Sequence, residues 1–288
     1  MKSRSEKNRS DSSGISFTAL YTGAVWHRHG LSDDSLATAR GRWLYHLMRP
    51  FEAASKLVAG GNLRTFLLQR HLIIDQLIDR AIADRGITQV LEIACGMSPR
   101  GIRLRQRYPH LHVIEADLPD MAARKALRLM AAERLGPHHQ VTPIDILADT
   151  GEYRLEAVAE RVLDLDKPFV VVTEGLTSYF PLRVIDSFWQ RLAALVTASP
   201  GSVYLSETYR MPAQPALRQA LRASADGLGR MTRSQVSFHF ENDRQAREHL
   251  LAQGFGEVTV HNPADYYDSL AIPHSRQDPF VRVLEATS

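Results

Sequence analysis

The feature that most constrains the fold is Val90–Gly101, an apolar segment that passes through a turn of small residues, VLEIACGMSPRG. The run Val90–Ala94 is typical of a buried strand, and Pro99 suits the first position of a following helix. Gly96 is the position at which a positive φ angle has no steric cost. In an open parallel sheet such a turn lies at the carboxyl end of a strand, where small ligands bind. The segment therefore predicts a strand–turn–helix unit with a ligand site at the turn.

Strand and helix patterns alternate through the rest of the chain. The predicted strands are Val90–Ala94, His112–Ala116, Val141–Ile144, Phe169–Thr173, Ser202–Ser206, Glu257–His261 and Val281–Ala286. The predicted helices are Arg100–Arg107, Asp120–Leu135, Leu155–Leu163, Leu182–Ala198 and Asp243–Ala252. This alternation is typical of an α/β doubly wound sheet. The last two strands have no helix between them, which predicts an antiparallel hairpin at one edge.

The chain divides into three regions by composition and pattern. Residues 1–14 are rich in Ser, Lys and Arg with almost no apolar side chains, which predicts a disordered tail. Residues 15–86 carry a helical pattern, with a helix over Ser35–Leu57 broken near Pro50 and a joint at Gly60-Gly61. Residues 87–288 are the predicted α/β core, with an irregular insertion near 208–240.

Charge and composition limit the classes of partner that the chain could bind. The net charge of the 288 residues is +3, and most of the basic excess lies in the first ten residues, so we expect no nucleic-acid partner. The sequence has neither an apolar signal-peptide core nor a run of 18 apolar residues, so we expect no membrane association and a cytoplasmic location. Cys95 is the single cysteine, so neither a disulfide nor a metal cluster is expected. The sequence leaves open whether the protein forms a homodimer.

Acidic residues mark the ends of three predicted strands: Glu92, Asp117 and Glu174. Because the carboxyl ends of parallel strands share one edge of a sheet, these three side chains are expected in one pocket. A carboxylate at the end of the second strand commonly accepts hydrogen bonds from two ribose hydroxyls, which is the role we expect of Asp117. Glu115, on the same strand face, is its rival, and a helix N-cap is the alternative role for Asp117.

The loop favours S-adenosylmethionine over a dinucleotide. A G-x-G-x-x-G template places its glycines on Ala94, Gly96 and Pro99, so two of the three are missing. A pyrophosphate needs those glycines for close approach, whereas S-adenosylmethionine carries no phosphate. An oxidoreductase that uses a nicotinamide cofactor is therefore the less favoured interpretation.

At three further positions the sequence allows either a binding role or a purely structural role. Arg70 interrupts an apolar helix and is either a clamp on a ligand carboxylate or an arginine that reaches solvent at a helix edge. Asp145 and Ile146 follow the third strand, where they either flank an adenine or form an ordinary turn.

Four segments, in their order and spacing, resemble the leucine carboxyl methyltransferase superfamily, which includes bacterial polyketide O-methyltransferases. They are QRHLIID, LEIACGMSPRG, IEADLPDMAARK and VTEGLTSYFP, and they lie between Phe66 and Pro181. The segment over residues 16–26 is also similar to a bacterial subgroup. The resemblance implies a class I methyltransferase fold, Rossmann-like, with an N-terminal helical cap over the pocket and S-adenosylmethionine as cofactor, released as S-adenosylhomocysteine.

The resemblance also assigns roles to positions of this chain. It places Arg70 at the cofactor carboxylate, Ala94 at a backbone contact, Asp117 at the ribose, Asp145 and Ile146 at the adenine, and Tyr179 near the donor methyl. Ala94 and Ile146 depart from the glycine and leucine usual in the family. The predicted cofactor-binding residues are Arg70, Glu92, Ala94, Gly96, Asp117, Leu118, Asp145, Ile146 and Glu174.

For catalysis the sequence offers Tyr179, Tyr21 and His27 as candidates. A carboxylate acceptor needs no general base, whereas a hydroxyl acceptor benefits from one, for which histidine is the usual choice. The pattern does not single out one histidine among His27, His29, His46, His71 and His274. The predicted function is O-methylation of a hydroxyl or carboxyl of a small, secondary metabolite. The alternatives are a carboxyl methyltransferase of a protein C-terminus and a catalytically silent cofactor-binding protein.

Overall fold

The computed structural model describes residues 19–48, 63–210 and 237–288. Two helices precede the sheet region, α1 over residues 19–28 and α2 over residues 39–48. The remaining helices are α3 (Leu63–Arg85), α4 (Arg100–Arg107), α5 (Pro119–Ala131), α6 (Leu155–Val162), α7 (Leu182–Ala198) and α8 (Asp243–Ala252). The strands are β1 (Gln89–Ile93), β2 (His112–Asp117), β3 (His139–Pro143), β4 (Val170–Thr173), β5 (Val203–Tyr209), β6 (Glu257–His261) and β7 (Val281–Thr287).

The strands form one seven-stranded sheet in the order β3-β2-β1-β4-β5-β7-β6. Neighbours from β3 to β5 are parallel, whereas β7 runs antiparallel to both β5 and β6. This confirms the predicted α/β doubly wound sheet with an antiparallel edge hairpin. The strand order reverses between β1 and β4, which creates the crevice at which ligands bind in such sheets.

Helices cover both faces of the sheet because successive strand residues point to opposite sides. Leu91 and Ile93 of β1 face the layer of α6 and α7, together with Trp189. Val90 faces the opposite layer, where Ile74 and other apolar residues of α3 pack on the sheet. Glu92, two residues after Val90, therefore points into the α3 and α4 side of the molecule.

The N-terminal helices pack on the first turns of α3. Tyr21 and Val25 of α1 form an apolar cluster with Leu44 of α2 and with Leu67 and Leu68 of α3. Helix α3 thus joins this cap to the sheet, because its later residues pack on the strands. The predicted boundaries of the three regions stay a prediction.

The helix predicted over Ser35–Leu57 is wrong at its start, because α2 begins at residue 39. Two local hydrogen bonds explain the later start. The Ser35 N–H donates to Asp33 Oδ1 at 3.0 Å, which holds a turn, and the Gly41 N–H donates to Thr38 Oγ1 at 2.9 Å, which caps the helix. The tail over residues 1–14, Pro50 and the Gly60-Gly61 joint lie outside the described residues.

Three other predicted boundaries shift by two residues or more. Helix α5 ends at Ala131 rather than Leu135, and Glu133 just beyond it has a φ of 55°, which an α-helix does not allow. Strand β3 begins two residues earlier than predicted, at His139. In the predicted insertion, β5 continues to Tyr209, and most of the segment lies outside the described residues. Its end returns to the core, where the Ser237 N–H donates to the Ser178 carbonyl at 2.6 Å.

No helix in the described ranges combines the length and apolar character that a membrane crossing requires. The same ranges hold no group of three or more His, Cys, Asp or Glu side chains arranged to bind a metal ion.

Candidate active site

A cavity of about 250 Å³ lies at the carboxyl ends of β1, β2 and β4. The structure brings all three predicted strand-end acids, Glu92, Asp117 and Glu174, to its wall. Helix α1 closes another side with Ala19 and Trp26. The cavity therefore occupies the crevice beside the switch point of the sheet and is covered by the N-terminal cap.

The loop after β1 forms the floor of the cavity. Gly96 has a φ of 48°, as its predicted role requires, but Ala94 also adopts a positive φ, of 57°. Asp117 fixes this loop, because its Oδ2 accepts the Gly96 N–H at 2.7 Å and its Oδ1 accepts the Leu118 N–H at 2.7 Å. Helix α5 is not capped by the Asp117 side chain, since its N-cap residue is Leu118. Each carboxylate oxygen of Asp117 keeps a second lone pair for a ligand.

Burial raises the pKa of Asp117, and the two backbone N–H donors act against that rise. Glu115, its rival in the sequence, does not reach the cavity. Its carboxylate lies 2.6 Å from Lys125 Nζ and 2.9 Å from His139 Nε2 in a buried cluster. The geometry therefore favours Asp117 over Glu115 as the acid that faces a ligand.

Arg70 is buried, with 4% of its surface exposed, so it does not reach solvent at the helix edge. Its Nε donates to Glu174 Oε1 at 3.0 Å, and its Nη1 contacts the hydroxyl of Tyr209 and lies 3.6 Å from Glu207 Oε1. Burial by itself lowers the pKa of Arg70, but Tyr209, Glu207 and Glu174 raise it overall, so the guanidinium stays charged. Because Arg70 also lines the cavity, it is placed to bind a carboxylate there.

Gly175 allows this arrangement. Its φ is 71°, and a Cβ at this position would lie 2.9 Å from Arg70 Nη2. Its N–H donates to Glu207 at 2.9 Å, which ties the turn after β4 to β5. A side chain at residue 175 would therefore displace the Arg70 guanidinium.

The other oxygen of Glu174 meets His71 and Arg100. Its Oε2 lies 2.8 Å from His71 Nδ1 and 2.6 Å from Arg100 Nη2. Although Arg70 and His71 are neighbours on α3, they contact different oxygens of the same Glu174 carboxylate. Burial by itself raises the pKa of Glu174, but His71 and Arg100 hold it well below its ordinary value.

Two buried polar atoms at the cavity have no hydrogen-bond partner among the described residues. They are Glu92 Oε2 and the indole Nε1 of Trp26. The other oxygen of Glu92 contacts Arg100, and burial raises the pKa of the Glu92 carboxyl. Buried polar atoms in folded proteins normally have partners, so an unpaired acceptor and an unpaired donor at one cavity indicate a polar ligand.

The remaining predicted residues divide by location. Leu118, Ala94, Gly96 and Tyr179 line the cavity. Asp145 and Ile146 do not, although Ile144 just before them donates its N–H to the Asp117 carbonyl at 2.9 Å. The Asp145 carboxylate accepts the Leu147 N–H at 3.0 Å, and their adenine role stays a prediction.

Two of the predicted catalytic residues are not at the cavity. Tyr21 is buried in the apolar cluster of the cap. His27 lies 2.9 Å from Asp34, whose side chain is exposed. Of the three candidates, only Tyr179 is in place to touch a ligand.

Sequence reasoning missed Arg100 and Lys125. Arg100 Nε donates to Asp75 Oδ1 at 2.7 Å, in addition to its contacts with Glu92 and Glu174. Lys125 contacts Glu115 and the carbonyl of Ser98. The available signal was a basic residue in each helix that follows a strand-end acid, in α4 after Glu92 and in α5 after Asp117, but only the tertiary contacts show that these two are buried.

A family model described as leucine carboxyl methyltransferase matches residues 29–193, more than half of the chain. A protein of Mycobacterium tuberculosis, provisionally named an S-adenosyl-L-methionine-dependent methyltransferase, is 31% identical over 230 residues, which cover 72% of this chain and 69% of that protein. Leucine carboxyl methyltransferase 1 of Eremothecium gossypii is 30% identical over 115 residues, 33% of this chain and 34% of that protein.

The chain belongs to the leucine carboxyl methyltransferase family. It is accordingly an S-adenosyl-L-methionine-dependent methyltransferase, as the resemblance in its sequence predicts. A crystal structure of a provisionally assigned methyltransferase from Thermobifida fusca has the same fold, with a TM-score of 0.64 and 16% identity over 94% of each chain.

The residues present fit this cofactor. The unpaired Glu92 Oε2 is an acceptor for an ammonium group, Arg70 is a cation for a carboxylate, and Asp117 has free lone pairs for a diol. The methionyl and ribose parts of S-adenosylmethionine carry these three groups. The cavity thus offers complementary side chains to both parts.

Proposed function

We propose that the protein methylates an oxygen, of a hydroxyl or a carboxyl group, on a small metabolite. The observation that carries this proposal is the cover over the cavity. Ala19, Thr22 and Trp26 of α1 line the same cavity as the strand-end acids. A covered site excludes water and favours an acceptor small enough to be enclosed.

S-adenosylmethionine, when bound, supplies an electrophilic methyl group on a sulfonium that is a good leaving group. The protein therefore contributes chiefly alignment and exclusion of water. In this proposal Arg70, Glu92 and Asp117 hold the donor, whereas Trp26 and Tyr179, which also line the cavity, contact the acceptor. The unpaired Trp26 N–H is a donor for an oxygen of that acceptor.

Incubation with methyl-labelled S-adenosylmethionine and a panel of small acids, phenols and alcohols tests the proposal. Methyl esters release methanol in alkali and methyl ethers do not, so alkaline treatment of the product separates carboxyl from hydroxyl acceptors. Label transfer to a small acceptor supports the proposal. Cofactor binding without transfer to any acceptor supports the catalytically silent alternative.

A protein C-terminus is the second candidate acceptor. It is favoured by the family model and by the Eremothecium gossypii relative, whose name is leucine carboxyl methyltransferase 1. Peptides that end in leucine with a free carboxylate, compared with the same peptides as C-terminal amides, test it. Alkali-labile label on the free-acid peptides alone would contradict the small-metabolite proposal and would support a protein C-terminus as the acceptor.

A further inference from the structure

Lys125 is a fully buried cation that does not line the cavity. It lies on α5, and its Nζ donates to the Ser98 carbonyl at 2.9 Å. The same Nζ lies 2.6 Å from Glu115 Oε1, and Glu115 Oε2 lies 2.9 Å from His139 Nε2. The Lys125 ammonium therefore joins α5, β2 and the loop after β1 at a single point.

The charge of Lys125 is maintained by its surroundings. Burial by itself lowers the pKa of Lys125, but Cys95, Glu115 and Glu92 raise it overall. A charged donor forms a stronger hydrogen bond with a carbonyl than a neutral donor does. Ser98 O is thus held by a permanent charge rather than by a flexible polar group.

The cofactor loop, which is the loop over residues 94–98 after β1, is held by two side chains from later in the sequence. Asp117 accepts the Gly96 N–H, and Lys125 donates to the Ser98 carbonyl two residues later. The Glu115 carboxylate packs under the first turn of α4, where a Cβ at Gly101 would lie 2.6 Å from Glu115 Cδ. Residues 94–98 all line the cavity, so a shift of Ser98 would move atoms that face the cofactor.

We propose that Lys125 is a positioning residue that holds the loop over residues 94–98 in its cofactor-binding conformation through the Ser98 carbonyl. It sets the affinity for the cofactor without touching it. The inference rests on the cofactor occupying this cavity, as the proposed function does. It differs from that function because it concerns affinity for the donor alone and needs no acceptor.

The test is calorimetric titration with S-adenosylhomocysteine of the wild type and of Lys125→Met, which keeps a long unbranched side chain without the ammonium. We expect the dissociation constant to rise about tenfold or more. Hydrogen exchange measured by mass spectrometry should accelerate in peptides covering residues 94–101, including the Gly96 amide, and stay unchanged in peptides of β5.

The single variant also leaves Glu115 without its cation, so the double variant Glu115→Gln, Lys125→Met separates the two effects. The double variant removes both charges and keeps a hydrogen-bonding side chain beside His139. We expect it to recover thermal stability but not cofactor affinity. Lys167→Met is the matched control, because Lys167 pairs with Asp164 at 2.6 Å on the exposed surface.

Recovery of wild-type affinity in the double variant would overturn the inference, since the Ser98 contact would then be dispensable. Wild-type affinity and unchanged loop exchange in a folded Lys125→Met protein would overturn it as well. If Lys125→Met does not fold, the double variant carries the test. Failure of the wild type to bind S-adenosylhomocysteine would instead count against the proposed function.

Discussion

At the scale of single residues, the backbone of the cofactor loop is held in a conformation that Ala94 disfavours. An alanine with a φ of 57° pays a steric penalty of about 1–2 kcal/mol for the contact between its Cβ and the backbone. The hydrogen bond from Gly96 to Asp117 and the burial of the loop offset that penalty. Position 94 is thus strained at a site that lines the cavity, as is common at functional sites.

The stability of variants at residue 94 should depend on this backbone strain. Ala94→Gly removes the steric contact but adds chain entropy to the unfolded state, so we expect the free energy of unfolding to stay within about 1 kcal/mol of the wild type. Ala94→Val places a β-branched side chain at a positive φ and should cost more than about 2 kcal/mol. Urea denaturation measures both, and equal stability of the two variants would contradict the assignment of strain.

We expect Glu92 to make cofactor binding depend on pH. Burial raises the pKa of its carboxyl, so Glu92 takes up a proton above the ordinary value of 4.5. The native state then binds this proton more tightly than the unfolded chain, so acidification through that range stabilises the free protein with respect to Glu92. The protonated carboxyl no longer attracts an ammonium group, so we expect cofactor affinity to fall over the same range.

We therefore expect the dissociation constant of S-adenosylhomocysteine to rise in the wild type as the pH falls from neutrality towards 4.5, the ordinary pKa of a glutamate. Glu92→Gln should bind more weakly near neutral pH and change less over that range. Asp117, whose pKa burial also raises, accounts for the change that remains. An equal pH dependence in the wild type and Glu92→Gln would show that Glu92 does not contact the ammonium.

At the scale of secondary-structure elements, one guanidinium joins α3, α4, β1 and the turn after β4. Arg100 contacts Asp75 of α3, Glu92 of β1 and Glu174 after β4, and all four side chains are at least nine-tenths buried. Burial by itself raises the pKa of Asp75, but His71 and Arg100 lower it overall. The carboxylates Asp75 and Glu174 therefore add stability above their ordinary pKa, and that stability is lost as the pH falls through their lowered values.

Arg100→Met should destabilise the protein by about 3 kcal/mol or more, because it leaves buried carboxylates without their shared cation. Arg107→Met, on the same helix, removes a partly exposed pair with Asp79 and should cost less than about 1 kcal/mol. Urea unfolding at neutral pH compares the two variants. A similar loss in the free energy of unfolding of both variants would mean that Arg100 contributes no more to stability than a surface ion pair does.

The elements that the sequence predicts best are those with one dominant local signal. Helices α4, α7 and α8 have the predicted bounds because apolar periodicity and turn residues agree there. Strand β3 and the start of α2 differ because their limits depend on tertiary pairing with β2 and on side-chain hydrogen bonds of Thr38 and Asp33. Local patterns do not contain those contacts.

At the scale of the whole molecule, the site combines parts that the sequence predicts and parts that only the fold supplies. Glu92, Asp117 and Glu174 could be assigned to one pocket because parallel strands end at one edge. Lys125 could not, since only the packing of α5 on β2 brings its ammonium to the Ser98 carbonyl of the loop after β1. Tyr21 and His27 are candidates by their chemistry alone. With α1 docked, Tyr21 lies in the apolar cluster of the cap and His27 lies beside Asp34.

The most direct test of the account is calorimetric titration of the wild type and Asp117→Ala with S-adenosylhomocysteine, with NAD as the parallel ligand. We expect micromolar binding of S-adenosylhomocysteine to the wild type, no binding of NAD, and a dissociation constant at least about tenfold higher in folded Asp117→Ala. Asp149→Ala, at an exposed position outside the cavity, should bind like the wild type. Absence of S-adenosylhomocysteine binding, or unchanged affinity in Asp117→Ala, would contradict the assignment of the strand-end acids to the cofactor.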